Sequence, residues 1–306
     1  MAQKDVKSRI SSVKNIQKIT RAMEMVAAAR LRRAEQRIEA LRPYASAIRR
    51  MTRQAAEAAQ NVPNLPILQE HENVSNVGLL LVTGDRGLAG AFNSQIVRAG
   101  IRASGEMDSQ PVWFASGRRG VSSLTFRGQT VLGEYTGFTD RPAYANAREI
   151  ASDLMTAYID GEVDRVDIFY NRYISPLTQE VTRETLLPLQ SATIFEGDSD
   201  EESLGGRAGG DDDNERSDGP HALVEYEPGP EEILQRLVPA YVEISIYRAL
   251  LESTASEHGA RMTAMRNASE NASDLVKDLT LQMNRERQAE ITQEIMEVVA
   301  GAESLT

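Results

Sequence analysis

The chain has 306 residues, a net charge of −11 and no cysteine, which excludes disulfide frameworks and thiolate metal sites. No apolar run approaches the ~18–20 residues of a membrane span, and the charged, amphipathic start is unlike a signal peptide, so we expect a soluble, intracellular protein. The length suits one globular domain plus an extended element.

Residues 1–60 are predicted to form a long helix of the coiled-coil type. A narrow apolar stripe steps by threes and fours along it, at Ala27, Leu31, Ala34, Ile38, Leu41, Ala45 and Ile48. Pro43 predicts a kink or a local break. Residues 1–50 carry 13 Lys/Arg against 4 Asp/Glu. Such a basic helix suits nucleic acid, an anionic membrane or an acidic protein, although no aromatic residues are interleaved to stack on bases.

Residues 75–192 are predicted to form an α/β domain. Apolar, β-branched runs at 77–84, 111–117 and 165–176 indicate buried strands, and 178–189 indicates a further strand, antiparallel at an edge. Helical patterns at 89–104, 119–124 and 144–159 alternate with them, which is typical of a Rossmann-like layer with parallel pairing.

Residues 195–224 are acidic, poor in apolar side chains and predicted to be a disordered insertion. Residues 231–301 are predicted to form a second long helix, a rod on the order of 100 Å long. Its apolar stripe predicts a coiled-coil seam too narrow to cover a globular core, so residues 1–60 are its expected partner. Pro239 predicts that the first turns are bent or separate. If the end of the first helix near Gln60 lies level with the start of the second near Glu231, the second overhangs by about a dozen residues, roughly 20 Å.

The strand–turn–helix of residues 81–96 is the one candidate for ligand chemistry. Gly84, Gly87 and Gly90 do not give the dinucleotide spacing, and no Walker lysine follows. The simpler interpretation is a structural turn, in which Asp85 caps the following helix and the last two glycines allow close helix–sheet packing. No histidines are spaced as metal ligands, and His258 is expected to be a packed, hydrogen-bonded residue of the seam. We therefore expect no catalytic residues, no cofactor and no metal.

Three blocks, at residues 16–35, 79–96 and 261–305, closely resemble the gamma subunit of bacterial F-type ATP synthases, in the same order and spacing. The resemblance covers the chain except the acidic insertion. It implies a rotor shaft: an antiparallel coiled coil inside three alpha and three beta subunits, with the α/β domain against the epsilon subunit and the membrane c ring. It also implies a peripheral location on the cytoplasmic face of the bacterial membrane, without direct membrane insertion or nucleic acid. The coupling ion, H⁺ or Na⁺, is a property of the c ring.

The resemblance also assigns residues. Met23 matches the position facing an acidic lever of beta, and Arg287, Gln288 and Thr292 match polar positions that contact beta. Val298 and Val299 would enter a hydrophobic collar at the top of the hexamer. Asp85, Arg86 and Gly87 match a D-R-G turn with a structural role.

Two other interpretations remain open from the sequence. One is a coiled-coil scaffold whose α/β domain binds a ligand, and the other is a minor enzyme that uses the turn at 84–90. The acidic insertion is either inert or a brake on rotation.

Overall fold

The computed structural model describes residues 3–58, 66–69, 71, 73–189 and 229–303. The acidic insertion predicted at 195–224 lies outside the described residues. The elements are, in chain order, α1 (Gln3–Ala58), β1 (Asn76–Val82), α2 (Phe92–Gly105), β2 (Gln110–Ser116), α3 (Arg118–Phe126), β3 (Val131–Tyr135), α4 (Tyr144–Ile159), β4 (Arg165–Tyr173), β5 (Gln179–Leu187) and α5 (Pro230–Glu303). A short 3₁₀ turn at Pro66–Leu68 precedes β1.

The two long helices, α1 with 56 residues and α5 with 74, lie antiparallel against each other. Leu31 and Ala34 of α1 pack on Ala255 of α5, and Glu24, nearer the start of α1, pairs with Arg266, nearer the end of α5, at 2.9 Å. The predicted pair of long helices is confirmed. In this register Gln3 lies level with about Arg287, so the end of α5 projects beyond α1.

A break at Pro43 and separate first turns before Pro239 are both wrong, because α1 and α5 are continuous helices through these residues. The alternatives predicted with them, a kink at Pro43 and a bend before Pro239, stay predictions. A proline removes one helical hydrogen bond and crowds the preceding turn, but packing of the neighbouring turns can offset that cost. Val238 and Val242, on either side of Pro239, are 0% and 1% exposed. Burial therefore holds the helix together across the proline.

The α/β domain contains a five-stranded sheet of order β3-β2-β1-β4-β5. β1 pairs in parallel with β2 and β4, β2 pairs in parallel with β3, and β5 runs antiparallel to β4 at the edge. The three predicted parallel strands and the antiparallel edge strand are confirmed. β3 was not predicted, because its first four residues alternate between partly buried and exposed and its central residue is a glycine.

Each face of the sheet is covered by helices. On one face, Leu79, Leu81 and Trp113 pack with residues of α2 and α3. On the other, Leu80, Val82, Phe114, Ile168 and Tyr170 pack with α4 and also with the first half of α5, through Leu234, Val238, Val242, Ile246 and Leu250.

The expectation that α5 carries only a narrow coiled-coil seam is therefore wrong for its first half. There the helix carries a second apolar row, spaced by four residues, which covers the sheet. The row facing α1 continues alone further along. One rigid helix thus belongs both to the domain core and to the rod.

Candidate functional site

The turn after β1 places Asp85 at the carboxyl edge of the sheet. Its carboxylate accepts hydrogen bonds from the backbone N–H of Arg118 (3.1 Å), Gly137 (2.9 Å) and Thr139 (3.2 Å), and from the Thr139 hydroxyl (2.9 Å). Burial acts to raise the pKa of Asp85, but these hydrogen bonds outweigh it and lower the pKa from 3.8. One carboxylate thus joins the β1 turn, the start of α3 and the loop before α4.

The prediction that Asp85 caps the helix following the turn is wrong. That helix, α2, begins at Phe92 after Ala91, which makes no side-chain capping bond. The turn between Asp85 and α2 is long enough to carry the carboxylate to the first turn of α3 instead. Asn93 of α2 reaches back to the turn, where its side-chain oxygen accepts from the Gly84 N–H at 2.8 Å.

The last two glycines of the turn have different surroundings. A Cβ on Gly87 would lie 3.0 Å from the guanidinium of the exposed Arg119 on α3, so this glycine lies close to that helix. Gly90 has φ of +56° and open space where a Cβ would lie, so it serves backbone conformation and the packing role predicted for it is wrong. Leu88 also has positive φ, at 63°, and is 64% exposed.

Polar residues of α5 fill the crevice above the carboxyl edge. The Ser253 hydroxyl donates to the Val82 carbonyl (3.2 Å), and the Thr254 hydroxyl lies within hydrogen-bond distance of the carbonyls of Leu250 (2.7 Å) and Thr139 (2.9 Å). Arg261 donates to the Gly87 carbonyl at 3.2 Å and also to the buried Glu257. Sequence reasoning missed these residues, although a run of small and charged side chains at 252–258 within an apolar helix was an available signal.

This packing bears directly on the alternative of an enzyme that uses the turn at 84–90. Ligands of open α/β sheets bind in the crevice beyond the carboxyl ends of the strands. Here α5 occupies that crevice, and a Cβ on Gly84 would lie only 2.7 Å from the Glu257 carboxylate. Among the described residues, no group of acidic or histidine side chains could hold a metal ion.

Asp140 ties the domain to both long helices. Its carboxylate binds the guanidinium of Arg30 on α1 and lies 3.6 Å from His258 Nε2 on α5 and 3.7 Å from Arg86 of the turn. Burial, together with the nearby Arg261 charge, lowers the pKa of His258 to about 4. The packed, hydrogen-bonded role expected of His258 is confirmed, since the side chain is 1% exposed and Arg261 donates to its Nδ1 at 3.3 Å.

The residues assigned by resemblance lie at three separate positions along the pair of long helices. Asp85, Arg86 and Gly87 lie at the junction of domain and rod. Met23 lies partly buried on α1, next to Glu24, which pairs with Arg266. Arg287 is 21 positions further along α5, about 32 Å away at 1.5 Å per residue. Arg287, Gln288 and Thr292 are exposed, as are Val298 (73%) and Val299 (48%).

The end of α5 therefore presents an uncovered helix. Every residue from 287 to 300 is exposed, including five large apolar side chains, Ile291, Ile295, Met296, Val298 and Val299. A cluster of exposed apolar side chains on one helix is typical of a surface that packs against another protein. No helix in the described part of the chain combines the length and the apolar content that crossing a membrane requires.

Comparison with known proteins agrees with this architecture. The family model described as ATP synthase matches residues 2–305. The ATP synthase gamma chain of Rubrobacter xylanophilus is 41% identical over 302 residues, which cover 99% of this chain and 98% of the relative.

Solved structures with the same fold include a chain in the structure of the central stalk and c ring of the Tetrahymena thermophila mitochondrial ATP synthase. That match has a TM-score of 0.59 and 26% identity, over 82% of this chain and 99% of the other. A chain of the Euglena gracilis mitochondrial ATP synthase matches with a TM-score of 0.65 and 17% identity, over 99% and 94%. The chain belongs to the ATP synthase gamma-subunit family, the rotor subunits of the central stalk.

Proposed function

We propose that this chain is the shaft of a bacterial ATP synthase, turned by the c ring and surrounded by three alpha and three beta subunits, with the epsilon subunit against its α/β domain. A gamma chain is a subunit of the complex and is not itself catalytic, so the chemistry belongs to beta. The complex would hold the chain at the cytoplasmic face of the cell membrane. The observation that carries the proposal is the uncovered apolar end of α5 on a two-helix rod.

We propose four parts of the chain with separate roles: the helix of residues 1–60, the domain of 75–192, the acidic insertion of 195–224 and the helix of 231–301. Torque applied to the domain must reach the rod. The first half of α5 supports this path because it is part of the domain core. The ion pair between Arg30 of α1 and Asp140 of the domain supports a second path of torque, from the domain to α1. In this scheme Asp85, Arg86 and Gly87 keep the junction rigid and bind no substrate.

We propose that the rod contacts the alpha and beta subunits at two positions along its length. Met23 would face the acidic lever of beta, while Arg287, Gln288 and Thr292 would contact beta nearer the end. Val298 and Val299 would turn within an apolar collar. Exposure of the second group supports this assignment, and a rotating surface favours shallow, distributed contacts over deep anchoring pockets.

Co-purification tests the assembly. A tagged copy of the chain, expressed in place of the native one and isolated from membranes, should bring down alpha, beta, epsilon and c subunits, with one copy of this chain for three alpha and three beta. Recovery of the tagged chain alone, or in equal numbers with beta, would contradict the rotor assignment and favour the scaffold.

Met23→Lys tests the lever contact. The added positive charge should over-strengthen attraction to the acidic lever, so that each ATP hydrolysed pumps fewer ions into inverted vesicles. Met25→Lys is the matched control, because Met25 lies two positions along α1 and is 63% exposed. Normal pumping per ATP in Met23→Lys, or equal loss in both variants, would refute the placement of Met23.

A further inference from the structure

A cleft of about 320 Å³ opens between α1 and the domain, beside the junction made by Asp140. One wall is a face of α1, the opposite wall is the loop of Asp140 and Arg141, and the floor includes Leu251 and Thr254 of α5. Its volume is at the lower end of the range, roughly 300–1,000 Å³, that small-molecule sites occupy.

Arginine dominates the lining of this cleft. Arg30, Arg33 and Arg37 recur at the three- and four-residue steps that place side chains on one helix face, and Arg141 lies across from them. Asp140 is the one acidic residue among those that line the cleft, in the described part of the chain, and it is bound to Arg30. His258, also in the lining, is neutral at pH 7 because burial lowers its pKa to about 4. Arg33, Arg37 and Arg141 therefore have no acidic partner among the described residues that line the cleft.

The apolar parts of the lining increase the effect of these charges. Ala34 on α1 is 6% exposed and Leu251 on α5 is 1% exposed, so apolar protein backs the cleft, while Arg33 and Arg141 are exposed to solvent. Charges beside such a surface are screened less than charges in open solvent. Guanidinium groups present N–H donors in a planar fork that matches the oxygens of phosphate.

We propose that the cleft binds a small phosphate-chain anion, either free pyrophosphate or the phosphates of a nucleotide, which bridges α1 to the Asp140–Arg141 loop. A compact anion with several oxygens can meet arginines from two elements at once inside a bounded cavity. An extended acidic peptide would instead also contact basic residues of α1 outside the cleft, such as Arg32. The bound anion would draw the rod and the domain together at the place where Arg30 and Asp140 already join them.

Calorimetry on the full-length chain with pyrophosphate tests the proposal, at about 50 mM salt so that screening is weak. We expect saturable binding and a higher melting temperature than in chloride of matched ionic strength. The double variant R33Q/R37Q should lose affinity at least about tenfold, because two guanidinium forks are removed. R32Q is the matched control, since Arg32 is exposed, next to Arg33, and outside the cleft. Its affinity should stay within about twofold.

A parallel titration with ATP separates the two sources of phosphate. Equal affinities would support free pyrophosphate, and tighter binding of ATP would support a nucleotide. The proposal is wrong if pyrophosphate and ATP give no saturable binding, or if R32Q weakens binding as much as R33Q/R37Q. Binding of a glutamate-rich peptide with the same arginine dependence, but without binding of pyrophosphate, would also overturn it. The assay uses this chain alone and so does not depend on the rotor assignment.

Discussion

Replacement of Asp85 by alanine should measure how much the β1 turn stabilises the chain. The substitution removes the acceptor of four hydrogen bonds, two of them from Thr139 in a partly buried position and two from the exposed amides of Arg118 and Gly137. At about 0.5–1.5 kcal/mol each, with the exposed donors at the low end because water can replace the carboxylate, the loss is about 2–4 kcal/mol. For a chain of 306 residues that lowers the melting temperature by about 3–6 °C.

Thermal unfolding of the full-length chain at neutral pH tests this estimate, with Asp108→Ala as the control. Asp108 is exposed, so its replacement should change stability by no more than about 0.5 kcal/mol. The pH dependence provides a second test. Because the folded pKa of Asp85 is lowered, its contribution is present above the unfolded value of 3.8 and is lost as the pH falls through the folded value. A loss no larger than that of Asp108→Ala, or a difference from wild type that persists unchanged at strongly acid pH, would refute the reasoning.

Two further substitutions test buried contacts of α5. Gly84→Ala should lower the free energy of unfolding by about 1–3 kcal/mol in chemical denaturation, because its Cβ would lie 2.7 Å from the buried Glu257 carboxylate. Gly105→Ala is the control and should be neutral or stabilising, because a Cβ there meets nothing within 4 Å. Equal effects of the two variants would contradict the packing of Gly84 against Glu257. Burial raises the pKa of Glu252, which is 5% exposed, so this carboxyl stabilises the fold at acid pH and loses that contribution as the pH rises through its folded pKa. Glu252→Gln should therefore raise the melting temperature at pH 8 and not at pH 4. Replacement of the exposed Glu270 by Gln is the control and should have no pH-dependent effect. A lower melting temperature of Glu252→Gln at pH 8 would contradict this reasoning, because it would show that the fold stabilises the charged carboxylate.

Much of the architecture could be predicted because its signals are local. The apolar steps of three and four residues in α1 and α5, and the buried β-branched runs of β1, β2 and β4, reflect the periods of helix and strand themselves. β3 gave no such signal, since an edge strand needs few apolar residues and part of its stabilisation comes from pairing with β2. The continuity of α5 through Pro239 depends on the domain core behind it, which no local rule includes.

The junction could be predicted only in part, since its contacts join residues far apart in the chain. The D-R-G turn was found, but the partners of Asp85 lie 33 to 54 positions away. The docking of α5 at the sheet edge joins Ser253 to Val82 across 171 positions. Spacing along the sequence carries no information about such pairs, although a polar run within an apolar helix does indicate that the helix meets something polar there.

The uncovered end of α5, residues 287–300, also determines how the chain behaves before a partner closes over it. An isolated helix shorter than about 12–15 residues is marginal in water, so these turns receive little stability from one another. Their amide protons should exchange with deuterium far sooner than those around the buried Val242, and proteases should cut there before they cut around Val242. Any partner that encloses this segment must also supply the free energy that orders it, so part of the intrinsic affinity is used for folding. These exposed turns at the end of α5 would then become protected only after assembly.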